Sequence, residues 1–336
     1  MPAYRTWSSS QGDQVYQMAL PIVYILPLSP AVSLDLTTAM AQTHLSDPSQ
    51  TIAAFADTRV RASWVTLDNT LLVSGGVIIP TGHAELRPDE RVAAASLANP
   101  VLDFPVSYYG QGAGATASLA YALELDAIVL GFGMGTYVRG SFKPSTEVDA
   151  KYRPGSEFTA LVGAETSFRS GSAMWRILGD IDFTWYGADT YDDQQVFRSG
   201  NRWMFNFQTE LRTRAFQALL FLQDRTKGKN ERGLGSLLPE PVNTNGNQLE
   251  VILDGTFPLG QTLRLRATLE SKFYADNEYG TNGATLMGGG PGLEAQIANG
   301  LWLEAMIKYF GGTLRFLNAS SSISGFHSDI ALRVQF

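Results

Sequence analysis

The chain has no cysteine in its 336 residues, only three histidines, and charged side chains make up just 17%. Without thiols there can be no disulfide, thiolate metal site or cysteine nucleophile. His44, His83 and His327 stand too far apart to give a metal-ligand spacing, so no metal or other cofactor is expected. A Gly-x-Ser-x-Gly elbow is missing too, and no nucleophile–base set stands out, so the chain does not read as an enzyme. No apolar run reaches the roughly 18 residues of a membrane-spanning helix; the longest, Met18 to Leu28, is interrupted by Pro21 and Pro27. A net charge of -7 argues against nucleic acid as a partner. No apolar leader segment follows Met1-Pro2-Ala3-Tyr4-Arg5, which fits a leader already removed, a sequence that starts partway into its precursor, or a soluble chain that never had one.

What is present is alternation. Hydrophobic residues make 44% of the chain while mean hydropathy is only -0.05. Trp203, Phe205, Phe207 and Leu211 alternate with Arg202, Asn206, Gln208, Glu210 and Arg212. Leu263, Leu265, Ala267 and Leu269 alternate with Arg264, Arg266, Glu270 and Lys272. The windows 175–186, 247–257 and 301–310 repeat the pattern. A sustained period of two reads as half-buried β-strands with one apolar and one polar face.

The connections alternate as well. Short turns (27–31, 67–70, 124–127, 168–173, 213–215, 258–261, 299–300) are interleaved with longer segments at 44–54, 83–113, 140–152, 187–198, 226–246, 274–283 and 313–325. This asymmetry predicts an all-β, single-domain, antiparallel up-and-down transmembrane barrel spanning 1–336, with short periplasmic turns and long extracellular loops. Fifteen strands are evident from Asp13 onward, and parity asks for one more from Ala3 to Ser8, giving about 16, with 14 as the alternative. Trp7, Tyr24, Trp64, Tyr137, Trp175, Trp185, Tyr186, Trp203, Trp302, Tyr309 and Phe336 fall near strand ends, as interfacial girdles would. Gly288-Gly289-Gly290-Pro291-Gly292 sits inside a strand pattern, where it reads as close backbone approach.

The lumen face would carry both signs of charge. Candidates for lining or selectivity are Arg59, Arg61, Arg176, Asp180, Asp182, Arg202, Glu210, Arg212, Glu250, Asp254, Arg264, Arg266, Glu270, Asp329 and Arg333. Two arrangements fit: mutual salt bridges along the wall, or a filter built from a few of them. His327 and Asp329 share a face and could pair. The 83–113 loop reads as extracellular and carries a short helix over Pro88–Asn99, then an apolar stretch. Such a loop should leave water, either as a lumen constriction or lid or as a contact on the barrel rim. Leu97, Val101, Leu102, Phe104, Tyr108 and Tyr109 are the constriction candidates.

Two resemblances follow from these residues. The last strand, Phe326 to Phe336, alternates and ends on an aromatic, and so resembles the closing strand of bacterial outer-membrane barrels. That likeness implies that the insertion machinery reads Phe336. The hairpin from Phe55 to Gly82, with Ala56-Asp57-Thr58-Arg59-Val60-Arg61 and Val77-Ile78-Ile79-Pro80-Thr81-Gly82, is similar to one in meta-pathway phenol-degradation transporter-like proteins, grouped near the fatty-acid and aromatic-hydrocarbon channels. It implies an outer-membrane location and passive uptake of a small hydrophobic or aromatic solute. The alternatives are a structural or partner-binding barrel with a filled lumen, and, third, an outer-membrane enzyme. Expected partners are outer-membrane lipid, the solute, and a second copy or another protein.

Overall fold

The computed structural model describes residues 2–316 and 319–334. Sixteen strands form the wall: β1 (Ala3–Ser9), β2 (Gln14–Pro27), β3 (Val32–Leu45), β4 (Gln50–Phe55 continued by Thr58–Thr66), β5 (Leu71–Ile79), β6 (Gly114–Leu125), β7 (Ile128–Arg139), β8 (Glu157–Ser170), β9 (Ala173–Tyr186), β10 (Arg202–Arg212), β11 (Gln217–Lys227), β12 (Gln248–Pro258), β13 (Leu263–Tyr274), β14 (Ala284–Ala298), β15 (Leu301–Phe316) and β16 (Ala319–Val334). Each pairs antiparallel with the next, and β1 pairs with β16, Ala3 opposite Asp329, so the sheet closes. Closure removes the free edges that hydrocarbon could not solvate.

β4 is broken by a bulge. Met40 of β3 faces Phe55, but Thr37, three residues earlier, faces Arg59, four residues later. One extra residue is accommodated at Ala56-Asp57, and the side-chain parity shifts there.

The tight turns at one end follow their chemistry. Asn299-Gly300 is an Asn-Gly pair between two strands, with Gly300 at φ 71°. At the other end the loops are unequal. Residues 80–113, 140–156, 187–201, 228–247 and 275–283 are long, while 10–13 and 46–49 are tight. Two expected loops are largely strand. Most of 44–54 belongs to β3 and β4. Most of 313–325 belongs to β15 and β16, paired up to Phe316 and Ala319. Both stretches keep their hydrogen-bond register, so their polar residues extend the ladder instead of leaving it. Three of the long loops supply an outer five-stranded sheet, in the order Ser236–Pro239, Glu231–Leu234, Gln194–Arg198, Ala188–Tyr191, Tyr152–Arg153.

The outer face is a belt of Met18, Phe132, Met134, Phe205, Leu253, Leu269, Ile307 and Leu332, all exposed. Water would penalise such a belt; acyl chains match it. Trp64, Trp185, Trp203 and Tyr309 are exposed alongside it. Four expected girdle aromatics turn the other way. Trp7 is buried, Tyr137 lies under Arg139, Tyr186 faces Lys227, and Trp302 lies between Arg264 and Arg333. Strand parity, not proximity to a strand end, decides which side an aromatic faces. Phe336 and Gln335 lie outside the described residues.

Candidate functional site: a lumen narrowed by one loop

The 80–113 segment leaves β5 and turns into the barrel. Its two roots are tied to one carboxylate. Asp57 Oδ1 accepts the Gly82 N–H at 3.0 Å, and Oδ2 accepts the Gln111 N–H at 2.7 Å. The β4 bulge is what aims Asp57 inward. Thr81 completes the clasp: its hydroxyl donates to the Ala56 carbonyl at 3.1 Å and accepts the Thr58 N–H at 3.0 Å. Gly82 has no room for a side chain, because a Cβ there would collide with the Tyr109 carbonyl and come within 2.8 Å of Asp57. The Asp-x-x and Pro-Thr-Gly portions of the hairpin therefore fasten a loop.

Inside, the loop forms a turn over Pro88–Glu90 and a helix, α1 (Arg91–Leu97). Glu90 is nearly buried and accepts from the Arg87 N–H and guanidinium, with the His83 ring 3.0 Å away. Burial raises its pKa, but these partners outweigh that and hold it below the ordinary carboxylate range. The Gln50 side-chain oxygen accepts the Val92 and Ala93 N–H groups, meeting the helix's orphan donors.

The loop's apolar side lies on the wall. Ala93, Leu97, Val101, Leu102, Phe104, Val106 and Tyr109 join Trp7, Val15, Leu45, Ile52, Leu286, Phe310 and Ile323 in one buried cluster. Polar bonds pin it. Trp7 Nε1 donates to the Leu102 carbonyl at 2.7 Å. The Gln17 amide pairs both ways with the Val106 backbone at 2.9 Å. The Tyr109 hydroxyl lies 2.8 Å from Thr43 Oγ1, and burial pushes the phenol pKa up. At the tip, Lys272 Nζ reaches Asp103 at 3.0 Å, and the Tyr274 hydroxyl donates to the Pro100 carbonyl at 3.1 Å. Gly288 and Gly325 make room, since a Cβ on either would strike the ring of Phe310 or Trp7.

Of the expected constriction residues, Leu97, Val101, Leu102, Phe104 and Tyr109 are therefore wall anchors, each 7% exposed or less. They are too apolar to face the aqueous side of the loop. Tyr108 alone faces the opening, 42% exposed, with its hydroxyl accepting from Arg59 Nη2 at 2.9 Å.

Most of the expected lumen charges are engaged in pairs. Arg61 meets Asp35 at 2.6 Å, and Arg176 meets Glu165 at 2.6 Å. Arg212 pairs with Glu210, and Arg333 with Glu304 at 3.3 Å. Arg266 bridges Asp254 at 3.1 Å and Glu294 at 3.5 Å, while Arg264 lies 3.4 Å from Glu294. Glu270 holds Lys308 at 2.8 Å and Lys272 at 3.0 Å, with Glu250 3.6 Å from Lys272. Asp180 accepts from Asn206 at 2.7 Å. Asp182 lies 3.8 Å from Arg202, which donates to Thr184 at 3.0 Å. Asp329 does not pair with His327. It takes both prongs of Arg5, at 2.7 and 3.0 Å, while His327 packs between Trp7 and Phe310. A guanidinium one strand away offers the carboxylate a bidentate fit that an imidazole ring cannot.

Sequence reasoning missed Arg225 and Lys227, although both share the inward parity of Gln217 and Gln223 on β11. It also missed Gln17, whose role depends on a loop ninety positions away and carries no local signal. Among the described residues no group of His, Asp and Glu is placed to hold a metal ion.

No protein-family model matches the chain, and no curated protein matches it. Solved structures do. The chain is similar to OccK11 (OpdR) of Pseudomonas aeruginosa, at 12% identity, covering 100% of this chain and 94% of that one with a TM-score of 0.50. It is also similar to the outer-membrane protein OpdK of the same organism (9% identity, 98% of each chain, TM-score 0.47) and to a mutant porin of Rh. blastica (13%, 98% of each, TM-score 0.39). At such identities these likenesses concern the fold. With the closed wall and the apolar belt, the likeness to OccK11 shows the fold: a closed, membrane-spanning antiparallel β-barrel.

Proposed function

We propose that the protein is a passive diffusion channel for a small solute, narrowed by the 83–113 loop. One observation carries this reading: the loop packs its apolar face on one side of the lumen, and cavities remain between it and the wall from β9 to β12. Water and solute would pass between that wall and the loop's Tyr108 side. The hairpin's likeness to phenol-degradation transporters favours a solute with an aromatic or other apolar part. On this reading lipid covers the belt, the insertion machinery engages the Phe336 end, and a second copy or another protein could bind the rim.

A filled, structural barrel is the second reading. The dense pairing of lumen charges favours it, because paired ions can close a lumen as well as line one. Liposome swelling separates the two. Proteoliposomes that swell in small neutral sugars indicate a channel, and vesicles that stay isotonic indicate a filled barrel.

A further inference from the structure

At the loop-bearing end of the barrel two cavities adjoin, sharing Asn99 and Leu314. The first, about 450 Å³, lies between the loop at Ala98–Val101 and the inner ends of β9 to β15. Its charged lining is all of one sign: Arg202, Arg225, Lys227 and Arg315, with no carboxylate. Arg315 is paired with Asp276. The other three are poorly matched. Among the described residues Arg225 meets only the Gln248 amide oxygen, Lys227 has only the Tyr186 ring at 5.9 Å, and Arg202 has Thr184 and the distant Asp182. Arg202 and Lys227 stand directly opposite each other in the β10–β11 register, and Arg225 is two positions along the same face. Like charges set opposite one another across strands are destabilising. Most other lumen cations have a carboxylate within 4 Å; among the described residues Arg225 and Lys227 have none.

The second cavity, about 400 Å³, is mostly apolar, lined by Val15, Leu45, Val92, Leu102, Leu314 and Ile323. Its carboxylates, Asp13 and Asp47, are exposed to solvent. The two spaces together form an amphipathic mouth of the size that small-molecule sites occupy.

We propose that this mouth is a binding site for a small organic anion with an apolar body. The carboxylate sits among Arg202, Arg225 and Lys227, and the body turns toward Pro100, Val101 and Leu314 and into the apolar cavity. The anion relieves the repulsion among the three cations, and the loop that narrows the lumen supplies the apolar half of the site. The class of solute follows from this site and rests on the reading of the barrel as a channel; the binding itself does not.

The test is equilibrium binding to the full chain in detergent micelles, followed by tryptophan fluorescence or calorimetry. The probes are 3-phenylpropionate, its amine counterpart 3-phenylpropylamine, and acetate. 3-Phenylpropionate should bind best and weaken as salt is raised. The R225Q/K227Q variant should bind it roughly tenfold less tightly, the sum of two partly screened charge pairs, while keeping the wild-type circular dichroism spectrum. Equal binding of the amine would overturn the anion assignment, as would an unaffected variant. Acetate binding as tightly as 3-phenylpropionate would overturn the apolar half. Single-channel conductance in plain potassium chloride is read separately: a silent wild-type barrel that still binds 3-phenylpropionate refutes the channel and leaves the site standing.

Discussion

The two halves of the barrel wall are built from the same alternating strands and end up doing different work. From β13 through β16 and round to β4, the inner face is covered by the loop and is largely apolar at that level: Ala41, Leu45, Leu286, Phe310, Leu314, Ile323. From β7 to β12 the loop stands off the wall across cavities, and the wall presents Glu157, Thr159, Asp180, Arg202, Asn206, Gln223 and Arg225 beside the apolar Leu161, Leu219 and Ile252. The rim follows the same division, with tight connections at 10–13 and 46–49 above the covered half and the outer sheet contributed by loops of the bare half. An inward-facing position on a wide barrel is not one environment. Whether it is polar depends on whether something packs on it.

The largest test of this division removes the covering. Deleting residues 88–109 should raise conductance in planar bilayers severalfold and expose the apolar inner wall to dye. Unchanged conductance would mean that the loop does not set the pore's width. Next is Trp7→Ala, which takes a large ring from the buried cluster together with its bond to Leu102. A loss of about 3–5 kcal/mol is expected, measured by denaturant titration of the refolded barrel.

A smaller pair of changes compares the halves directly. Gly288→Ala on the covered side drives a methyl into Phe310 and should cost about 1–3 kcal/mol. Gly133→Ala on the bare side meets nothing nearer than Leu161 at 3.7 Å and should be close to neutral. Equal costs in the same titration would erase the distinction. Asp57→Ala should leave the wall's melting unchanged but free the Gly82 and Gln111 amides, at about 1–3 kcal/mol locally. Hydrogen exchange at those two residues, with noisier single-channel records, is the readout.

The smallest effect is on pH. The Glu90 carboxyl is depressed in the folded loop, so its contribution is complete above the ordinary glutamate value of about 4.3. That contribution is lost as pH falls through the lower folded value. Loop fluctuations in single-channel records should therefore increase at acid pH in the wild type, and less so in Glu90→Gln.

The wall was legible in the sequence because alternation is a local signal, repeated many times and reinforced by loop parity. Most charges placed on the lumen face by that rule meet an opposite charge nearby. The site was less legible. Leu97, Val101 and Phe104 were readable as a segment that must leave water, but the surface they settle on is assembled from Trp7, Leu286 and Phe310, distant in sequence. Composition and position near a strand end could not separate Trp203, which faces lipid, from Trp302, which faces arginines; only the parity of each strand does that. The three cations of the mouth stood in plain alternation on β10 and β11. Their meaning came from the structure, where Arg225 and Lys227 have no carboxylate within 4 Å among the described residues and Arg202 has only a distant one.

The bulge at Asp57 has one more consequence. Suppose that single residue were excised. Ile52, Ala54, Ala56, Arg59 and Arg61 would then alternate without interruption, all facing inward, and β4 would be a more regular strand than the natural one. The barrel has no use for Asp57; only the loop does. Container and restrictor are thus specified separately in this chain, and a single codon lies at the seam between them.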